Sequence, residues 1–294
     1  MSDIQLIRSY LYAPASSERM LSKVLDAGSD GVILDLEDTV ADSHKDDARE
    51  AAAAFIREHA SSSPQQLHVR INRGRFGFDS DDLHAVAIEG LAAVRVPRVE
   101  DPRDLRVLDD VLTTIERDRG LKVGAIGVYV TIETARGLHH VDGLAASPRV
   151  VRLCFGAADF LADIGGRGGH EYRATLYARS QVVIASRVAG IQAPVDSVHT
   201  NLDDLDGLRA GAQIARDLGF FGKTVIHPKQ VQPVHEVFTP SDDEIMLAKE
   251  VIKRFEESQA HGGAALDLEG DFIDPALVAR AHGVLDLIQP PSRG

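Results

Sequence analysis

Gly31-Val32-Ile33-Leu34-Asp35-Leu36-Glu37-Asp38 is a short apolar run that turns acidic at its end, and Lys45 to His59 follows it with helical spacing. This reads as one strand, one polar loop and one helix. The same unit recurs in both directions. Upstream stand Ser9-Tyr10-Leu11-Tyr12, ending at Pro14, and a helical segment from Glu18 to Ala27. Downstream come Leu67-His68-Val69-Arg70-Ile71-Asn72, Ala93-Val94-Arg95-Val96-Pro97, Ala125 to Ile132, Val150 to Phe155, Val195-Asp196-Ser197-Val198 and Lys223-Thr224-Val225-Ile226. Helical spacing returns at Pro102 to Arg117 and at Leu205 to Leu218. Strands alternating with helices at this interval indicate βαβ units and a parallel sheet. Eight units predict a closed (β/α)₈ TIM barrel over residues 1–240, an architecture that takes roughly 250 residues. A doubly wound open sheet is the main alternative. Its dinucleotide-binding form has little support, because no Gly-x-Gly-x-x-Gly follows an early strand.

From Ser241 the rhythm changes, and residues 241–294 read as a C-terminal helical extension. Asp242 to Glu257 places Ile245, Ala248, Val251, Ile252 and Phe255 at helical spacing. His261-Gly262-Gly263 interrupts, and a last helix begins near Pro275, a residue suited to a first turn. Such an appendage is expected to pack on a neighbouring subunit, with a frayed end at Pro290-Pro291.

Composition excludes several classes of function. The chain has 294 residues, 44% apolar and 26% charged, with a formal net charge of -13. That balance argues against nonspecific nucleic-acid binding, which needs a clustered basic surface. It leaves room for a small anionic ligand, because a metal ion and a few cations can dominate a cleft. Met1 to Tyr12 has no signal-peptide pattern, and no apolar run reaches the ~20 residues of a membrane span. The single Cys154 rules out an intrachain disulfide and a cysteine-rich zinc site, and is compatible with the reducing cytoplasm. A cytoplasmic protein without membrane partners is expected.

In a barrel, chemistry gathers at the carboxyl ends of the strands. Here those ends carry Asp35-Leu36-Glu37-Asp38, Arg70-Ile71-Asn72, Glu133 and Asp159. Glu133 and Asp159 lie one unit apart. Two carboxylates there suit a hard cation such as Mg²⁺, which fills its other positions with water and substrate oxygens. The same acids would serve equally as helix caps or solvated loop residues. Arg70 can grip a carboxylate or enolate oxygen with its fixed fork, or form a salt bridge with the acids of the 35–38 run. The two roles are compatible, since Glu37 or Asp38 would then orient Arg70 from behind. Gly165-Gly166-Arg167-Gly168-Gly169-His170 lacks the helix-start lysine of a phosphate loop, and His227-Pro228-Lys229-Gln230 reads as a capped turn. Cys154 reads as core packing, and His139-His140 has no third zinc ligand nearby.

Taken together and in order, these pieces resemble the citrate lyase β-subunit-like branch of the HpcH/HpaI aldolase group, whose members include malyl-CoA and citramalyl-CoA lyases. The resemblance spans almost the whole chain. It is carried by Arg8-Ser9 with Pro14, Val32 to Asp38, Val69-Arg70-Ile71-Asn72 and Ile132-Glu133-Thr134-Ala135-Arg136-Gly137. Phe155-Gly156-Ala157-Ala158-Asp159, Ile226-His227-Pro228-Lys229-Gln230 and Gly270-Asp271-Phe272-Ile273-Asp274 complete it. It implies a barrel that forms a homo-oligomer, a trimer or hexamer, with Mg²⁺ (or Mn²⁺) on Glu133 and Asp159. It also implies substrate contact through Arg70 and Glu133, and an Asp274 that reaches a neighbouring subunit's site as a proton carrier. The chain departs from its relatives at Ala158, where an acid is common, and at Asp271-Phe272.

The activity so implied is retro-Claisen cleavage, or the reverse condensation, of a 3-hydroxyacyl thioester such as malyl-CoA, citramalyl-CoA or citryl-CoA. The products are a 2-oxo acid and an acyl thioester. The thioester carrier is CoA, or an acyl-carrier protein if the chain works as a citrate lyase subunit within a complex. A metal-dependent aldolase on free 2-oxo acids and a ligand-binding barrel without turnover are the remaining readings.

Overall fold

Seven of the eight apolar runs become strands in the computed structural model, which describes residues 7–74, 77–167, 173–261 and 272–288. They are β1 (Ser9–Pro14), β2 (Gly31–Asp35), β3 (Gln66–Arg70), β4 (Ala93–Val96), β5 (Gly127–Ile132), β6 (Val150–Phe155) and β7 (Lys223–Val225). All neighbours pair in parallel, in the order β6-β5-β4-β3-β2-β1-β7, forming one curled sheet within an α/β fold. The run at Val195 does not make a full strand. Val195 bridges to Cys154 of β6 and Asp196 to Lys223 of β7, both in parallel. Pro194 just before it has no N–H to donate, which keeps the pairing short.

Each strand buries both faces, as parallel sheets under helices do. One face, with Leu11, Val32, Leu34, Val69, Val94 and Val130, packs in the large apolar core with the covering helices. The other carries a small cluster of Tyr10, Ile33, Ala93, Tyr129, Cys154 and Val195. Alternation along β3 and β4 puts His68, Arg70 and Arg95 opposite Leu67, Val69, Val94 and Val96. Register then aligns Asp35 with Arg70, Arg70 with Arg95, Arg95 with Tyr129, and Tyr129 with Arg152. Polar side chains therefore share one level on the inner face.

Internal contacts divide the chain into two compact units, one spanning Ile7–Phe238 and the other holding the residues from Thr239 on. In the second, helices Asp242–His261 and Pro275–Asp286 pack together through Ala248, Val251, Ile273 and Ala281. Asp274 caps the later helix, its Oδ1 accepting from the Leu277 amide at 2.7 Å. Among the described residues no helix is long and apolar enough to cross a membrane. Gly168-Gly169-His170, Gly270-Asp271 and Pro290-Pro291 lie outside the described residues.

Candidate active site

Four of the acids and bases singled out at strand ends line one cavity of about 380 Å³: Asp38, Arg70, Glu133 and Asp159. Arg70 is the last residue of β3, Glu133 follows β5, and Asp159 lies in the first turn of the helix Ala157–Asp163 after β6. Tyr12, near the carboxyl end of β1, also lines it.

Arg70 is held on every side. Its Nε and Nη2 donate to Asp35 Oδ1 and Oδ2 at 2.6 and 2.7 Å, a two-point grip by a fully buried carboxylate. Its Nη1 donates to Asp38 at 3.1 Å and lies 2.9 Å from Glu37 Oε2. The Glu37 contact is ionic rather than a hydrogen bond, since that buried oxygen has no hydrogen-bond partner. Asp35 accepts in addition from the Thr39 hydroxyl at 2.6 Å and the Glu37 amide at 3.1 Å. The guanidinium also covers the Tyr12 ring, 4.8 Å from its centroid. Burial pushes the Tyr12 phenol up to about 12, so it stays protonated. Both expected roles of the acidic run are thus spatially compatible, but the fork goes to Asp35, which was not distinguished from its neighbours.

Glu37 carries the cost of this crowding. Burial pushes its carboxyl up to about 7; Arg70 opposes the shift, and Asp38, Asp35 and Asp159 add to it. An acid whose folded pKa is raised stabilises the fold most below its unfolded value, and that contribution is lost as pH rises through the folded value. Metal-free protein is therefore expected to melt at lower temperature as pH rises from about 4.5 to about 7. Glu37→Gln should flatten that slope, and melts of both proteins across this window check it. An unchanged slope in the variant would remove Glu37 from the account.

Glu133 is 8% exposed, and among the described residues it forms no ion pair. Its Oε1 accepts from the backbone amide of Arg98 at 2.7 Å. Burial pushes its carboxyl up to about 8; Asp159 and Glu37 raise it further, while the Arg98 amide and Arg70 pull it down. Arg98 presents that amide from a left-handed backbone, φ 50°, which a non-glycine residue adopts only where its surroundings compel it. The Arg98 side chain lies 3.8 Å from Asp159, which is half-exposed at 54%. Immediately after Glu133, Thr134 caps the helix Ala135–His139 by accepting from the Gly137 amide at 3.0 Å.

Gly156 makes room for Glu133. A Cβ at Gly156 would stand 2.5 Å from Glu133 Oε2 and 2.7 Å from Glu133 Cβ. Gly156→Ala is accordingly expected to cost about 1–3 kcal/mol of stability, typical of overpacking, and to displace the carboxylate. Thermal melting together with metal titration checks this. A variant unaltered in both would mean Glu133 can sit elsewhere.

Two carboxylates with an open cavity beside them suit a hard divalent cation that completes its shell with water and substrate oxygens. Buried Glu133, lacking a cationic partner, fits that donor set. No cluster of three or more His, Cys, Asp or Glu able to hold a metal occurs among the described residues. His227 caps its turn as expected, accepting from the Lys229 amide at 3.1 Å, and Cys154 is buried and reduced. Two residues escaped the sequence reading, Arg98 and Arg95. The first gave no signal, and the second offered one in an arginine amid an apolar strand.

The citrate lyase subunit beta of Haemophilus influenzae is 32% identical over 284 residues, covering 96% of this chain and 97% of its own. The L-malyl-CoA/beta-methylmalyl-CoA lyase of Cereibacter sphaeroides is 34% identical over 299 residues, covering 95% and 93%. The crystal structure of CitE from Mycobacterium tuberculosis, in complex with magnesium, acetoacetate and coenzyme A, superposes with a TM-score of 0.74 at 28% identity, covering 95% and 97%. Residues 8–228 match the HpcH/HpaI aldolase/citrate lyase family as a whole. This chain is a member of the HpcH/HpaI aldolase/citrate lyase family.

Proposed function

We propose that this protein is a magnesium-dependent carbon–carbon lyase that cleaves, or forms, a 3-hydroxyacyl thioester of the malyl-CoA, citramalyl-CoA or citryl-CoA kind. One observation carries the reading: buried Glu133, without a cationic partner, shares a cavity with Asp159 and with the rigidly held Arg70. Glu133 and Asp159 hold the metal, and Mn²⁺ can replace Mg²⁺ there. When bound, Mg²⁺ supplies Lewis acidity and orientation toward the hydroxyl and carboxylate oxygens of the substrate.

Arg70 stabilises negative charge on the thioester side as the enolate forms. Asp35 takes Nε and one hydrogen of Nη2 and so fixes the guanidinium plane, leaving the remaining Nη hydrogens to meet the enolate with little reorganisation at the moment of bond breaking. In the cleavage direction the hydroxyl proton passes to solvent water as the C–C bond breaks and the C–O bond becomes a carbonyl. The C–C pair passes to the thioester α-carbon, which then takes up a proton. We assign that proton transfer to Asp274 of a neighbouring subunit. Glu37 and Asp38 support Arg70 from behind.

Further parts of the reading follow from the sequence pattern and the family. The bridges of Val195 and Asp196 support closure of the sheet into an eight-stranded barrel. Residues 241–294 form an extension that packs on a neighbouring subunit of a trimer or hexamer, and the enzyme works in the cytoplasm on free CoA thioesters.

The purified chain is expected to cleave at least one of malyl-CoA, citramalyl-CoA and citryl-CoA in Mg²⁺ and to lose that activity in EDTA. Turnover only when an acyl-carrier protein and partner subunits are added would favour the citrate lyase complex instead. No Mg²⁺-dependent turnover of any thioester, alone or in a complex, would overturn the proposal.

A further inference from the structure

Arg95 differs from every other deeply buried cation described in the inner layer. Arg70 has Asp35, while Arg179 and Lys223 share Asp196. Arg152 spends its donors on the carbonyls of Ala193 and Phe221 and on the Tyr10 hydroxyl. Arg95 is 2% exposed, and no carboxylate pairs with it among the described residues. Its Nε meets His68 Nδ1 at 3.4 Å, its Nη1 meets Cys154 Sγ at 3.3 Å, and its buried Nη2 has no hydrogen-bond partner.

The two contacts it does make are with weak, neutral acceptors. His68 Nε2 lies 3.2 Å from the Gln66 side-chain oxygen, so the ring places its proton there and turns a bare Nδ1 to Arg95. Burial and the neighbouring guanidiniums keep that imidazole uncharged, and burial keeps the Cys154 thiol protonated. The guanidinium is flanked by aromatic rings, 4.1 Å from the Tyr10 centroid and 4.9 Å from that of Tyr129. These contacts fix its plane without neutralising it. A buried cation left with an open donor is costly in a fold, and such a cost marks a group kept for a ligand.

The place of this group supplies the ligand's chemistry. Arg95 lines the cavity of about 380 Å³ that also holds Glu133 and Asp159, together with the hydroxyl side chains Thr131, Ser197 and Thr224. Arg95 pairs in register with Tyr129, four residues before Glu133 on the same chain segment. At ~3.3 Å per residue this sets it roughly 13 Å back along the strand from the Glu133 backbone. The cavity is thus bipolar, anionic where the two carboxylates stand and cationic beside Arg95.

We propose that Arg95 binds a second anionic group of the substrate, a carboxylate beyond the one engaged at Glu133 and Asp159. Among the thioesters named above, the site then favours citryl-CoA, which keeps two free carboxylates, over malyl-CoA and citramalyl-CoA, which keep one. This rests on the metal reading of Glu133 and Asp159 given above, and it makes Arg95 a specificity-determining residue.

L-malate and L-lactate test it, because both carry the hydroxyl and carboxylate and only malate carries the second acid. In saturating Mg²⁺, calorimetry on the whole protein is expected to find malate bound at least about tenfold more tightly, as a charged hydrogen bond would give. In Arg95→Met that ratio should collapse, and in Arg95→Lys part of it should survive. The methionine variant should also melt about 2–4 °C higher, because an uncompensated buried charge is gone. Equal affinity of the wild type for both acids overturns the inference alone. So does a ratio that persists in Arg95→Met with a lowered melting temperature, which marks the arginine as framework. Binding of neither acid overturns it together with the metal reading.

Discussion

Arg70→Ala is expected to lose about 10²–10³ in turnover, the usual cost of removing one preorganised donor from a developing oxyanion. It should lose stability as well, by a separate route. Asp35 is fully buried and takes both of its principal contacts from the Arg70 fork. Removing one partner of such a pair strands the other charge and costs about 3–5 kcal/mol. Burial opposes the ionised form of Asp35, and the Arg70 hydrogen bonds outweigh it, so the folded pKa lies below the ordinary value. That contribution is present at neutral pH and is lost as pH falls through the folded value. The alanine variant should therefore show a weaker loss of stability on acidification. Arg70→Lys separates the two effects: it restores a charge beside Asp35 but not the planar two-point grip. Steady-state kinetics and melts of both variants check this, and near-wild-type turnover in the alanine variant would eliminate the role.

The second large effect is expected at the carboxylates. Glu133→Gln and Asp159→Asn should each weaken Mg²⁺ binding by at least about 100-fold, the upper end seen when a mere supporting residue of a metal site is lost. Their effects on metal-free stability should diverge. Glu133 is buried without a cationic partner, so neutralising it relieves a cost and should raise the melting temperature. Asp159 is half-exposed, with Arg98 3.8 Å away, so neutralising it should change stability little. Metal titration by calorimetry beside thermal melts would expose both patterns. Unaltered Mg²⁺ affinity in both variants would leave the proposed chemistry without its metal site.

Much of this arrangement was legible because hydrophobic runs mark strands independently of tertiary detail. Seven of the eight runs form strands, and Lys45–His59 and Leu205–Leu218 form helices with the expected limits. The run at Val195 is reduced to two bridges, because Pro194 just before it has no N–H to extend the pairing. Arg70, Glu133 and Asp159 could be named because a parallel α/β sheet sends its loop chemistry to one end. Arg95 was passed over because β4 buries both faces. Val94 and Val96 go to one face and Arg95 to the other, and an alternating pattern alone does not say which face encloses a cavity. Arg98 was hidden more deeply. Its contribution is a main-chain amide in a left-handed turn, and nothing in Val96-Pro97-Arg98 announces that geometry.

That amide has an evolutionary corollary. A main-chain hand on Glu133 does not depend on which residue follows Pro97, provided the residue tolerates the unusual torsion, as glycine and asparagine do best. The side chain at this position, 3.8 Å from Asp159, is consequently released to vary, and its charge there can tune which acids are admitted. Drift at residue 98 would redirect selectivity while the grip on the buried carboxylate persists.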